Sequence, residues 1–428
     1  MMRRGLSSAV RSVEQKISKL PNGLTVTSID NGAPISQLVL AFRAGSRYED
    51  ANEQGVVHHL RNSVGTDSNN YLGVKLLWQT GNIGATLNSI ATKDIYAIQL
   101  STPREGTPIG VSLLGELGQP AFKPWEVNDI KPTLLNDVQN VEVYDMVIEA
   151  LHKAAFRSGS LGNFTLSKPH NIGKVNYKQL EDFAKSRLLT GEAAIVGINV
   201  DHNLLLQYAS EQITLAEGKG KEPKASPYKG GEVRMCGPGD LAHVVVAAEG
   251  GKMTDLKSVA TQSVLASLIA SEPITKFSSN NGFGVASKSI NKEAQSACGI
   301  TNVNITYSDN GLVGFYLVSE GSQAGTLVKK ALGAVKSLSS NIDSELFEIA
   351  KQQTITEVLL RSEVDSNVAI DQAVQILSTN STVSPVAFAE MINSVTVDDV
   401  KKAASKFNGK LTITSYGNIG TVPYLDEL

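Results

Sequence analysis

The sequence predicts an α+β protein of two homologous domains, each a mixed, mainly antiparallel sheet covered by helices, together forming a bilobed shell. Three observations predict it. A helix–glycine–strand unit is written twice, a strand hairpin is written twice ahead of it, and a charged linker separates the copies. The length of 428 residues, with 41% hydrophobic and 19% charged residues, fits two globular domains rather than one core.

The first unit runs from Tyr177 to Val200. Leu180, Phe183 and Ala184 have helical spacing, Gly191 breaks the helix, and Ala193–Val200 is an apolar strand. The second runs from Val397 to Gly417. Val400, Ala403, Ala404 and Phe407 give the helix face, Gly409 the break, and Leu411–Tyr416 the strand. Each half also opens alike. Asn22–Val26 and then Gln37–Ala44 in the first correspond to Gly230–Arg234 and then His243–Ala248 in the second. Thr86–Gln99 reads as two strands around Lys93-Asp94, and Asn302–Leu317 as two strands around Ser308-Asp309-Asn310-Gly311.

Amphipathic helices follow each hairpin. Ile109, Ser112, Leu113, Glu116 and Leu117, then Val127 onward, mark them in the first half. Leu327, Val328, Ala331, Leu332, Val335 and Leu338, then Leu346, Ile349 and Ala350, then Ile355, Val358 and Leu359, mark them in the second. The pattern places the helices on one face of each sheet. Residues 215–227 are rich in Gly, Pro and charge and read as the linker between domains at 16–214 and 228–428. The space between two such lobes suits a long extended ligand.

Several classes of function are disfavoured. Net charge is −3 with no long basic run, which argues against a nucleic-acid partner. No apolar run approaches the roughly 18–20 residues of a membrane helix. Cys236 and Cys298 read as small buried hydrophobes of a reducing compartment, with a single disulfide as the alternative. Residues 1–15 differ in character. Arg3, Arg4, Arg11, Ser7, Ser8 and Ser12 precede the first acid, Glu14, as in a mitochondrial presequence.

The segment Gly55–Asn62, with His58 and His59 adjacent, invites a metal reading that helical geometry opposes. Neighbouring residues point about 100° apart, so the two rings cannot face one ion from a regular helix. A helical zinc site needs ligands at i and i+4 with a general-base carboxylate on the same face. From His58 those positions offer Asn62, a poor ligand, and Arg61, a cation. The expectation is a packed helix with one partly buried histidine. His152, His170, His202 and His243 lack ligand spacing, and Trp125 after Pro124 is expected to anchor the start of a helix.

Asn22-Gly23-Leu24, the run Arg43-Ala44-Gly45-Ser46-Arg47-Tyr48-Glu49-Asp50, and Gly55 with His58 resemble the start of the pitrilysin and mitochondrial processing peptidase family. That family carries an inverted zinc motif, His-x-x-Glu-His, and a distal acidic ligand. On the resemblance, His58 matches the first histidine, Arg61 replaces the base, Asn62 replaces the second ligand, and Asp137 stands for the distal acid. It therefore implies a degenerate peptidase with no catalytic residue, metal or other cofactor.

Tyr228–Glu232, Asn304–Phe315 and the ending Gly417–Leu428 resemble the branch of the family that serves as core subunits of ubiquinol–cytochrome c reductase. The resemblance covers about Lys19 to Leu428. It implies a peripheral, non-catalytic subunit on the matrix side of the mitochondrial inner membrane. The partners it implies are a sister core subunit, cytochrome b, cytochrome c1 and the Rieske protein. The competing readings are a non-catalytic partner of a processing peptidase that recruits presequences, and an active metallopeptidase with an unusual ligand set. For peptide recruitment the resemblance singles out the loop Phe277–Ser289, with Asn280, Asn281, Gly282 and Gly284. Composition alone reads that loop as a surface connection.

Overall fold

The computed structural model describes residues 15–271 and 282–428. The presequence-like residues up to Val13, and Asn280 and Asn281 of the predicted recruitment loop, lie outside them.

The first half contains β1 (Gln15–Lys19), β2 (Thr25–Ile29), β3 (Ile35–Phe42), α1 (Val56–Asn62), α2 (Gly73–Asn82), β4 (Thr86–Ala91) and β5 (Tyr96–Pro103). It continues with α3 (Thr107–Leu117), α4 (Pro124–Asp129), α5 (Lys131–Gln139), α6 (Val143–Phe156), α7 (Tyr177–Arg187), β6 (Ala193–Ile198) and α8 (His202–Gln212). The second half contains β7 (Gly231–Cys236), β8 (Leu241–Glu249), α9 (Leu256–Ile269), α10 (Val285–Glu293), β9 (Cys298–Thr306) and β10 (Gly311–Glu320). It ends with α11 (Gly321–Ser337), α12 (Ser344–Ser362), α13 (Asp365–Thr379), α14 (Pro385–Ser394), α15 (Val397–Ala404) and β11 (Thr412–Gly417).

The duplication is visible strand by strand. The first sheet runs β1-β2-β6-β3-β5-β4 and the second β7-β11-β8-β10-β9. After β1 the two orders are equivalent. In each, one parallel pair, β2 with β6 and β7 with β11, adjoins an antiparallel remainder. The repeated helix is even started by the same device. Asn176 with Gln179 at α7, and Thr396 with Asp399 at α15, form capping boxes that satisfy otherwise orphaned helix N–H groups.

One expectation needs correction: helices do not cover a single face of each sheet. Leu38, Leu40 and Phe42 of β3 pack into the first half's own helical core, while Val39 and Ala41 face the other way. There they meet Ala369, Ala373, Ile376 and Leu377 of α13, a helix of the second half. The reciprocal arrangement holds in the second sheet. Ala242, Val244, Val246 and Ala248 of β8 join its own core. Val245 and Ala247 meet Val147, Leu151, Ala155 and Phe156 of α6, from the first half. This explains why β3 and β8 read as unbroken apolar runs rather than alternating strands: both of their faces are buried.

The hairpin turns of the two halves meet at this junction. Arg47, its side chain only 1% exposed, binds Asp94 at 2.7 Å from the first turn and Asp309 at 2.9 Å from the second. It also donates to Ser308 Oγ at 3.0 Å. Beside it, buried Lys93 binds Glu149 of α6 at 2.6 Å, and Tyr307 donates to His152 Nε2 of α6 at 2.8 Å. The His152 Nδ1–H is committed to Ile148 O at 2.7 Å, which leaves Nε2 as the acceptor.

The thiols also differ from expectation. Cys236 is exposed at the end of β7, Cys298 is half-buried on β9, and the two are not joined. The far end of the predicted recruitment loop is not loop, because Val285–Ser289 opens α10.

A charge placed in α13 tests the exchange of helices. Ala373→Asp should lower the stability of the first half by about 3 kcal/mol or more, since it buries an unpaired carboxylate against β3 and β6. Pulse proteolysis in urea, with cleavage read in peptides of β3 and β6, measures it. An unchanged midpoint for those peptides would mean that the halves unfold separately.

A degenerate metal centre

Helix α1 begins where Gly55 takes φ +98°, a left-handed conformation that suits glycine. Glu49 holds that start in place, one carboxylate oxygen accepting from Gly55 N at 3.1 Å and the other from Val57 N at 2.8 Å. This orientation turns His58, Arg61 and Asn62 toward α5, whose Asp137 reaches back to all three. One carboxylate oxygen, Asp137 Oδ2, accepts from Arg61 Nη2 at 2.5 Å, His58 Nε2 at 3.0 Å and Asn62 Nδ2 at 3.1 Å. The structure thus brings together the four positions singled out in the sequence.

The donor set does not fit zinc. Ser167 N–H donates to His58 Nδ1 at 3.2 Å, so that nitrogen is an acceptor and the proton sits on Nε2, which donates to Asp137. Neither ring nitrogen is open to a metal. Asn62 offers its amide N–H groups, to Asp137 and to His58 O at 3.1 Å. Arg61 places a permanent positive charge against the sole carboxylate of the group. Among the described residues no cluster of three or more His, Cys, Asp and Glu side chains could hold a metal ion. No hydrolytic step can be assigned to these side chains.

The electrostatics are those of a closed ion pair. Burial pushes the Asp137 carboxyl up, but hydrogen bonds from His58 and Asn62 and the charge of Arg61 outweigh it and hold the group below the usual carboxylate range. Burial, reinforced by the Arg61 charge, lowers His58 and keeps it neutral despite the Asp137 bond.

His58 and His59 are both fully buried, so the expectation of one partly buried histidine is corrected. His59 points away from Asp137 and donates from Nδ1 to Gly55 O at 2.7 Å. Trp125 does not anchor its helix, being 61% exposed on α4. Sequence reasoning missed the Arg47 junction, whose signal is an arginine in the turn after an apolar strand, with acids in both hairpin turns. It also left the main cleft unplaced. That cleft, of about 570 Å³, is lined by α9, β9, α12, α13 and α14, with Tyr144 as the contribution of α6. It shares no residue with the His58 group.

Fold and site together define a duplicated α+β scaffold of the zinc-peptidase kind whose metal position is filled by protein hydrogen bonds. Residues 25–169 match the family described as insulinase (peptidase family M16), and residues 174–354 the peptidase M16 inactive domain. Cytochrome b-c1 complex subunit 2, mitochondrial, of Rattus norvegicus is 31% identical over 422 residues, covering 97% of this chain and 92% of that protein. Mitochondrial-processing peptidase subunit alpha-2 of Dictyostelium discoideum is 26% identical, covering 96% of this chain and 93% of that protein. A chain of complex III2 from Candida albicans, Inz-5 bound, superposes with a TM-score of 0.86 at 20% identity, covering 96% of this chain and 98% of that one. The chain belongs to the M16 peptidase family.

Two measurements test this account of the site. Arg61→Glu with Asn62→His should bind about one zinc per chain after dialysis against metal, because His58, the new histidine and Asp137 then converge as three ligands. The unaltered chain should bind none, and stoichiometric zinc in it would contradict the closed ion pair. The second measurement is pH dependence. Burial pushes both His59 and His152 down to about 4. Their folded-state values lie below those of the unfolded chain, which therefore binds more protons, and stability falls as pH drops from 6.5 toward 4. Between pH 7.5 and 5.5 each should cost about 1 kcal/mol, and His152→Gln should remove its share of that slope in urea titrations.

Proposed function

We propose that the chain is a non-catalytic core subunit of respiratory complex III, ubiquinol–cytochrome c reductase, supporting assembly and stability of the complex. The observation that carries this reading is the 31% identity along 97% of the chain to a cytochrome b-c1 complex subunit 2. The hydrogen bonds that fill the metal position agree with it. The chain is a zinc-peptidase homologue that works by binding neighbours, with none of His58, Arg61, Asn62 and Asp137 in a catalytic role.

The partners are core protein 1, cytochrome b, cytochrome c1 and the Rieske protein. Attachment is peripheral, on the matrix side of the mitochondrial inner membrane. In support, no helix among the described residues is long and apolar enough to cross a membrane. Residues 1–15 serve as the presequence-like segment, and the lobes 16–214 and 228–428 are joined by 215–227. In support of that division, no helix or strand lies between α8 and β7.

Purification of the tagged full-length chain from mitochondria in mild detergent should recover cytochrome b, cytochrome c1 and core protein 1 in equal amounts. A particle free of cytochrome b that contains only processing-peptidase subunits would overturn the proposal.

A further inference from the structure

The chain has two tryptophans, Trp78 and Trp125, and both are largely exposed, at 67% and 61%. Large aromatic side chains are rarely left in water without a purpose, and tryptophan is over-represented at the energetic centres of protein interfaces. The two residues are structurally linked. The Lys123 ammonium lies 5.6 Å above the Trp125 ring and pairs with Asp67, and Asp67 in turn accepts from Gly73 N at the start of α2, the helix that carries Trp78.

The same helix and the residues before it add Tyr71, Leu72, Val74 and Leu77, exposed at 43%, 58%, 73% and 49%. Val74, Leu77 and Trp78 have i, i+3, i+4 spacing and form one outward stripe. The inward face of α2, with Leu76 and Thr80, is buried. Six large side chains at these exposures amount to an apolar surface on the order of 700 Å², close to one partner's share of a standard protein interface.

We propose that the outer face of α2, extended by Trp125, is a docking surface for another protein subunit, one presenting an apolar pocket with a carboxylate at its rim. The proposal rests on the reading of the chain as a subunit of a larger assembly. Charge identifies the occupant. Lys75, exposed in the middle of the stripe, leans over the Tyr71 ring at 4.4 Å, and among the described residues it pairs with no carboxylate. From Ser68 to Lys93 the chain contains no Asp or Glu, so no acid of its own segment answers that charge. An anionic bilayer is the poorer fit, because it rewards several unpaired cations around an apolar face. Here Lys75 stands alone, Lys123 is neutralised by Asp67, and Glu116 sits beside Ser68 and Asn70.

The test compares the full chain with Trp78→Glu, Trp125→Ala and Lys75→Glu, each expressed in cells lacking the native copy. All three side chains are exposed, so the thermal midpoints of the purified variants should match that of the parent, and a variant that melts lower is replaced by Trp78→Ser. Native electrophoresis then reads incorporation into the membrane particle. The expected result is near-full incorporation of the parent and at least a tenfold loss for Trp78→Glu, with smaller losses for the other two. Radical footprinting should find Trp78 oxidised in the isolated chain and protected at least fivefold in the particle. Equal incorporation of parent and Trp78→Glu, or equal oxidation in both states, would overturn the docking surface while leaving the subunit reading intact. Failure of the parent to enter any particle would overturn the subunit reading itself. Two further results would show the occupant to be misassigned. One is Trp78-dependent sedimentation with phosphatidylcholine–cardiolipin vesicles. The other is Trp78-dependent self-association of the purified chain.

Discussion

Each sheet of this protein has one face that its own half leaves uncovered, and the rest of the structure depends on how that face is closed. Helix α13 of the second half lies on β3 and β6, and α6 of the first half lies on the second sheet. Ala369 and Ala373 lack bulk at the contact and let α13 sit close against Val39, Ala41 and Val196. A half deprived of its partner helix would expose a continuous apolar sheet face, which no small domain tolerates in water. The polar junction around Arg47 follows from the same arrangement. Its carboxylate partners come from both hairpin turns, so docking of the halves adds Asp309 and Ser308 to the pair that Arg47 already makes with Asp94 of its own half.

This dependence explains how catalytic chemistry can be absent while the scaffold remains. In a zinc centre of this type the metal would tie α1 to α5. Here the Asp137 carboxylate does so, gathering three N–H donors from α1 onto one oxygen. The cross-link between the helices is kept and its reactivity is gone: the arginine that neutralises Asp137 takes up the carboxylate oxygen that a metal would need. Selection on such a chain acts through the surfaces it offers, and the exposed face of α2 is where large apolar side chains are most concentrated in sequence.

Most of the architecture was legible in the sequence because duplication repeats the same punctuation twice. Glycine breaks and hairpin turns recur in order, and the strands fall where those signals place them. The four centre positions were legible because helical spacing and the family motif fix which residues share a face. The exchange of α6 and α13 was not legible. Periodicity reports that a helix has an apolar stripe but not which sheet receives it, and α13 resembles any other amphipathic helix of the second half. The unbroken apolar character of β3 and β8 was the available clue, since a strand covered on one face would have alternated. His59 and Trp125 were misjudged for a related reason. Burial is a property of what lies opposite, and neither residue's sequence neighbours supply that information.

The central claim is that two sequence repeats fold as one cooperative body because each completes the other. Native-state hydrogen exchange as a function of low denaturant tests it most directly. Amides of β3 and β6 in the first sheet and of β8 and β11 in the second should converge on a single opening free energy, shared by those of α6 and α13. Two separate plateaus, one for each sheet, with α6 and α13 following their own sequence halves, would contradict it.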